Sequence, residues 1–193
     1  MSSASISLNV LASATLMPPN SSGSLGLSLY ANAEIGVAVL ESFWASREAL
    51  IHSEQMAAPR RTDVVHRAMG TVSVERYRVP VYEREAPLDT AAGLRLTRMD
   101  VDTARIEDTV ECFGATVVPR LADAVGFCGA LLLVDRDTGH SISETMWDSH
   151  KALAASRGEA AAVRVETVRS TGALIRAVEE YGLVFSTARI GGV

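Results

Sequence analysis

The sequence predicts an α+β fold built from a duplicated β-α-β-β-α-β unit, and three observations carry that prediction. Residues 23–53 recur without a gap as residues 126–156, with ten identities in 31 places: Gly23/Gly126, Gly26/Gly129, Leu29/Leu132, Gly36/Gly139, Glu41/Glu144, Trp44/Trp147, Ser46/Ser149, Ala49/Ala152, Leu50/Leu153 and Ser53/Ser156. Ordinary composition would give about two. Both tryptophans of the chain fall on matched positions, and the apolar period alternates between that of strands and that of helices along the second copy.

The second copy reads whole. Leu94 to Val101 is a short mixed run suited to a strand, and Asp102 or Thr103 then supplies a helix cap. Ile106, Val110, Phe113, Val117 and Leu121 follow at spacings of three and four, one face of a helix. That helix must kink or restart near Pro119, which has no N–H to donate, and Gly126 ends it. Cys128 to Val134 reads as a buried strand, Asp135 to Gly139 as a turn, and His140 to Trp147 as the antiparallel return of a hairpin. Ser149 caps an alanine-rich helix from about His150 to Val168, and Leu174 to Phe185 completes the ferredoxin-like order with a fourth strand.

In the first copy only the later parts are clear: hairpin strands at Leu25 to Ala31 and Val37 to Trp44, a helix from Arg47 to about Ala68, and a strand at Val72 to Val81. After a one-residue shift Val74, Glu75 and Tyr77 answer Val178, Glu179 and Tyr181. Ala4 to Leu11 alternates polar and apolar residues as a strand would, but Pro18 and Pro19 leave no room for a three-turn helix before Gly23. The expectation is an irregular segment over 1–22 and a natural chain that starts further upstream. A degenerate first repeat then spans 23–83, a linker with Pro87 and Ala91-Ala92-Gly93 spans 84–93, and a complete second repeat spans 94–193.

Composition narrows the partners. A formal net charge of −5 with acids and bases interspersed argues against nucleic acid and anionic membranes. No apolar run approaches the roughly 20 residues needed to span a bilayer. Cys112 and Cys128, the only cysteines, do not make a zinc site and read as buried fillers. With no basic residue ahead of the modest apolar run in 1–20, cytoplasm is the expected location. A small, weakly charged ligand fits best.

The run from Pro119 to Ser156 has a proline, then V-G-F-C-G, an apolar strand, a D-R-D-T-G turn and a strand closing on W-D-S before an alanine-rich helix. In this it resembles the antibiotic biosynthesis monooxygenase family of the dimeric α/β-barrel superfamily. The resemblance covers Leu94 to Ile190, and Gly23 to Val81 more weakly. It implies two ferredoxin-like repeats forming a barrel-like pseudo-dimer, the first repeat incomplete at its N-terminus. It also implies cofactor-independent oxygenation, in which an electron-rich aromatic or polyketide-like substrate is deprotonated and passes an electron to dioxygen, with no metal or flavin. A homodimer would cover any sheet edge left exposed.

Within that resemblance Trp147 and Trp44 match the tryptophan that lines the family's pocket, and Thr97 and Phe113 join them as substrate-binding candidates. His150 and Tyr181 are the catalytic candidates, His150 because its ordinary pKa lies near neutrality and Tyr181 because its hydroxyl can bond a phenolic ligand. Each has a plainer reading: the tryptophans as plugs between sheet and helix, His150 on the wet first turn of a helix, Tyr181 as a half-buried strand residue. His140, after the hairpin turn, reads the same way. Glu41 and Glu144, three residues before each tryptophan, are expected on the opposite strand face as solvated or ion-paired carboxylates. Two other readings stay open, a non-catalytic protein that binds a hydrophobic ligand or mediates assembly, and haem degradation. For haem the family's histidine would fall nine or ten places after Trp147, where Ser156 and Arg157 stand; Thr97 replaces the first-strand asparagine, and His52 misses the register after Trp44 by one residue.

Overall fold

A computed structural model describes residues 7–14 (backbone only), 23–54, 71–86 and 90–188. The strands are β1 Ser7–Ala14, β2 Ser24–Asn32, β3 Val37–Trp44, β4 Thr71–Arg84, β5 Gly93–Asp100, β6 Phe127–Val134, β7 His140–Trp147 and β8 Leu174–Ser186. The helices are α1 over residues 47–54, α2 Ile106–Cys112, α3 Val118–Ala122, α4 His150–Ala155 and α5 Arg157–Thr171. The expected continuation of α1 to Ala68 lies outside the described residues.

The chain forms two compact units, Met1–Arg76 with Leu183–Val193, and Tyr77–Gly182. Both boundaries fall inside the long final strands of the two copies. In the second unit the end of β4 pairs antiparallel with β6 (Arg84 beside Gly129), β6 with β7, β7 with β5, and β5 with β8. That is the β-α-β-β-α-β order expected of the second copy, extended by one strand from the first. In the first unit the corresponding addition comes from the end of β8, where the Thr187 N–H donates to the Leu27 carbonyl at 2.7 Å and the Ser28 and Ser186 hydroxyls pair at 2.8 Å.

The duplication is visible bond by bond. Ser46 and Ser149 cap their helices by accepting from the Ala49 and Ala152 N–H groups, each at 3.1 Å. Ser53 and Ser156 donate back to the Leu50 and Leu153 carbonyls at 2.7 and 2.8 Å. The Trp44 and Trp147 indoles donate to the hydroxyls two residues earlier on their strands, Ser42 at 3.1 Å and Thr145 at 3.2 Å. The hairpin turns also correspond: the Asn32 side-chain oxygen accepts from the Glu34 N–H, and that of Asp135 from the Asp137 N–H, both at 3.0 Å. Gly139 closes the second turn at φ 79°, where a Cβ would sit 2.0 Å from the Val101 carbonyl oxygen.

The copies part at their beginnings. In the second, β5 precedes a helical crossover and runs antiparallel to β7. In the first, β1 runs parallel to β3, with Ala14 beside Trp44, the same end at which β2 begins. Nine residues suffice to turn from one strand into the next when they meet at one end, whereas the antiparallel direction would demand a return along the sheet's whole length. β1 is therefore not the copy of β5, which the 103-residue offset would place before Ser7.

The helix after β5 starts on an Asp102 cap and meets its expected interruption in a specific form. Phe113–Val117 is a π-helical turn, and the Val118 N–H donates to the Phe113 carbonyl five residues back. This widened turn sits directly before Pro119, the residue that cannot continue the regular ladder. The second helix also divides, into α4 and α5 at Ser156. The core of this unit lies between the helices and one face of the sheet, where Phe113, Val117, Leu121, Trp147, Leu153, Ala160 and Val163 pack together. A fully buried Leu or Phe side chain there is worth roughly 1.5–3 kcal/mol.

Candidate ligand site

Cross-strand register decides which residues share the helix-facing side of the second unit. Arg95 lies opposite Thr145, and Thr97 opposite Ser143, so these four side chains form two adjacent pairs on one face of β5 and β7. Val117 and Leu121, with Ala160, Val163 and Arg164 of α5, close over them. The partly open cavity between them has a volume of about 30 Å³, with a hydroxyl and guanidinium floor beneath a largely apolar roof.

Arg95 is almost wholly buried at 3% exposure, and every part of its guanidinium is engaged. It donates to the Ser156 hydroxyl at 2.8 Å, to the Leu153 carbonyl at 2.6 Å, and to Glu180 at 2.9 and 3.2 Å. Glu180 also accepts from Arg157 at 2.6 Å, and these two guanidinium groups, Arg157 first, hold its carboxyl below the usual glutamate range. Arg164 differs from both. It forms no hydrogen bond or ion pair among the described residues, and burial followed by the nearby Arg95 charge lowers its pKa. The side chains of Thr97 and Ser143 likewise make no hydrogen bond there, whereas the Thr145 hydroxyl accepts from Trp147.

The sequence candidates do not converge on this cavity. Thr97 lines it. Trp147 is fully buried beside it, edge-on to Phe127 with ring centroids 5.6 Å apart, and lies outside its lining. Phe113 is buried in the same core, and Trp44 packs half-buried against Leu50 in the first unit. His150 is exposed at the start of α4. Tyr181 pairs with Leu94, which also pairs with Met146; it therefore sits on the opposite sheet face from Trp147. Burial, then the Glu179 charge, pushes the Tyr181 hydroxyl up to about 12.

One expectation needs correction. Glu41 and Glu144 are buried, at 3% and 1% exposure, so of the two readings given them, solvated or ion-paired, the solvated one does not hold. Alternation sets each on the strand face opposite its tryptophan, and that face is buried in both copies. At the positions named for haem, the Ser156 hydroxyl bonds Leu153 and Arg95, Arg157 is paired with Glu180, and His52 is exposed on α1. His140 is exposed, its Nδ1 2.9 Å from Asp100, which also accepts from Arg176 at 2.6 Å. Arg164 and Ser143 were not singled out from sequence. Arg164 sits among the charges of an amphipathic helix, and only the cross-strand register reveals Ser143 as the neighbour of Thr97.

Among the described residues no helix is long and apolar enough to cross a membrane, and no three His, Cys, Asp or Glu side chains gather as metal ligands. No family model matches the chain. Two Mycobacterium tuberculosis H37Rv proteins without an assigned function are similar to it. Rv2557 is 28% identical over 150 residues, 78% of this chain and 67% of that protein, and Rv2558 is 29% identical over 169 residues, 87% and 72%. Among solved structures, an anthrone oxidase-like protein matches with a TM-score of 0.56 at 15% identity, over 89% of this chain and 81% of that one. A candidate monooxygenase from Lactobacillus acidophilus NCFM matches at 0.55 and 12%, over 86% and 80%. These matches run through both copies, so most of the chain, and not one repeat alone, shares the fold of those structures.

Proposed function

We propose that the chain is a cofactor-independent monooxygenase acting on a small aromatic or polyketide-like compound that enters the second unit beside Thr97 and Ser143. The observation that carries this reading is the cavity itself: unengaged hydroxyl donors on a strand floor, a guanidinium at its rim and apolar helix residues above. Such a lining suits a flat, largely apolar molecule with an oxygen function at one end. The similarity in fold to an anthrone oxidase-like protein supports the reaction class.

The chemistry asks little of a cofactor. An activated ring methylene loses a proton to give an enolate, the enolate gives an electron to dioxygen, and recombination forms the new C–O bond. Loss of water leaves a carbonyl, so that CH₂ and O₂ become C=O and H₂O. Positive charge near the enolate oxygen would favour the first step. Of the residues named from sequence, Thr97 alone lines this cavity; Tyr181 lies on the opposite sheet face, His150 is exposed on α4, and Trp147, Trp44 and Phe113 stand outside the lining.

The test is oxygen uptake with a panel of anthrone-like and quinol substrates, using isotopically labelled dioxygen to trace the incorporated atom. Uptake matched by one labelled oxygen in the product is the expected result; binding without uptake would leave a non-catalytic ligand carrier. That second reading is favoured by the small cavity and by the sealed position of Trp147.

A further inference from the structure

Charge around the cavity does not balance. Three arginines, Arg95, Arg157 and Arg164, stand against the single carboxylate Glu180, which is divided between the first two. Three positive charges less one negative leave a formal local charge of +2, in a chain whose formal net charge is −5. The other acids of α5 do not correct this, because Glu159 and Glu166 are both taken by Arg120. Arg164 is thus a half-buried guanidinium that forms no ion pair among the described residues and meets Glu180 only through space, at a cavity it helps to line. Guanidinium and hydroxyl donors placed together around a small volume match an oxyanion, since all of them donate and the oxyanion only accepts.

Size limits which part of a ligand belongs there. A cavity of about 30 Å³ is small beside the usual pocket for a whole ligand, so it suits a polar headgroup better than a ring. The ring of such a ligand would then extend beyond the cavity, which is partly open.

We propose that this cavity is an oxyanion subsite that takes the carboxylate of a small aromatic acid, with Arg164 as its ionic partner and Thr97 and Ser143 as hydroxyl donors. It rests on the reading that the cavity is the ligand site and narrows the substrate class to aromatic compounds bearing a carboxylate. Arg95 is not the partner, because its donors are already spent on Ser156, Leu153 and Glu180.

The experiment compares benzoate with benzamide, its uncharged counterpart of nearly the same shape, by calorimetry and thermal shift on the full chain. Saturable benzoate binding and at least tenfold weaker benzamide binding are expected for the wild type. Arg164→Gln should weaken benzoate at least tenfold and leave benzamide unchanged, and Thr97→Val with Ser143→Ala should weaken benzoate less. Equal binding of the two probes, undiminished benzoate binding by a folded Arg164→Gln, or no saturable benzoate binding would each overturn the proposal. Benzoate has no oxidisable methylene, so binding is scored apart from turnover. Benzoate binding without oxygen uptake by any substrate would remove the monooxygenase reading and leave the subsite standing.

Discussion

The Arg95 guanidinium on β5 donates to the Leu153 carbonyl at 2.6 Å, at the point where α4 gives way to α5. The same group bonds the Ser156 hydroxyl, so a first-strand residue fastens the helix break of its own unit. Replacing Arg95 with methionine keeps the apolar stem but takes one of two side-chain donors from the Leu153 carbonyl and leaves Glu180 with Arg157 alone. Removing one partner from a buried, hydrogen-bonded ion pair costs about 3–5 kcal/mol. Urea denaturation of Arg95→Met should show a loss near the lower end, because Glu180 is partly exposed and keeps a second cation.

Trp147 and Trp44 occupy matched positions in different surroundings, the first fully buried and the second half-buried. Trp147→Ala should cost about 3–5 kcal/mol, and Trp44→Ala clearly less. Fluorescence separates them without a stability measurement. Trp44→Phe should leave a blue-shifted emission that acrylamide quenches poorly, and Trp147→Phe a redder, quenchable one.

Two glycines give opposite signs for the same substitution. Gly139→Ala must fit a Cβ 2.0 Å from the Val101 carbonyl oxygen at positive φ, so it should destabilise by more than about 1 kcal/mol. Gly158, near the start of α5, has nothing within 4 Å of where a Cβ would sit. Gly158→Ala should stabilise by about 0.5–1 kcal/mol. Thermal melts of the two variants should bracket the wild type.

Tyr181 links stability to alkaline pH. Its folded hydroxyl is pushed up to about 12 against an ordinary value of 10.0, so between these limits the native state holds a proton that the unfolded chain has released. Its contribution is fully present below pH 10 and is lost as pH rises toward 12. Tyr181→Phe should flatten the fall in stability over that window. Absorbance at 295 nm should show Tyr181 ionising late, with Tyr82, also raised by burial, behind the ordinary range.

Much of the second unit was legible because its signals are local: the Asp102 and Ser149 caps, the turn from Asp135 to Gly139, and the period from Ile106 to Leu121 each report on their own neighbourhood. The site was not, because it depends on register. Thr97 could be named from its place on the first strand, but its pairing with Ser143 and the roof supplied by Val163 and Arg164 arise from elements far apart in sequence. Burial of Glu41 and Glu144 escaped for the same reason: alternation tells which face a residue takes and not what covers that face. The parallel course of β1 needed the ends of β1 and β2 to be located together, which no periodicity reports.

The long final strands have a consequence for how the two copies evolve. Every residue of β6 is buried, and its outer partner is the end of β4, a segment belonging to the other copy. A fragment of residues 94–193 would therefore expose an apolar edge and invite aggregation. In a protein made of separate identical subunits, any mutation lands twice, and a lost pocket is lost on both sides. Tethering the copies in one polypeptide frees one to keep donating its strand while its own opening elements drift, with the other left whole.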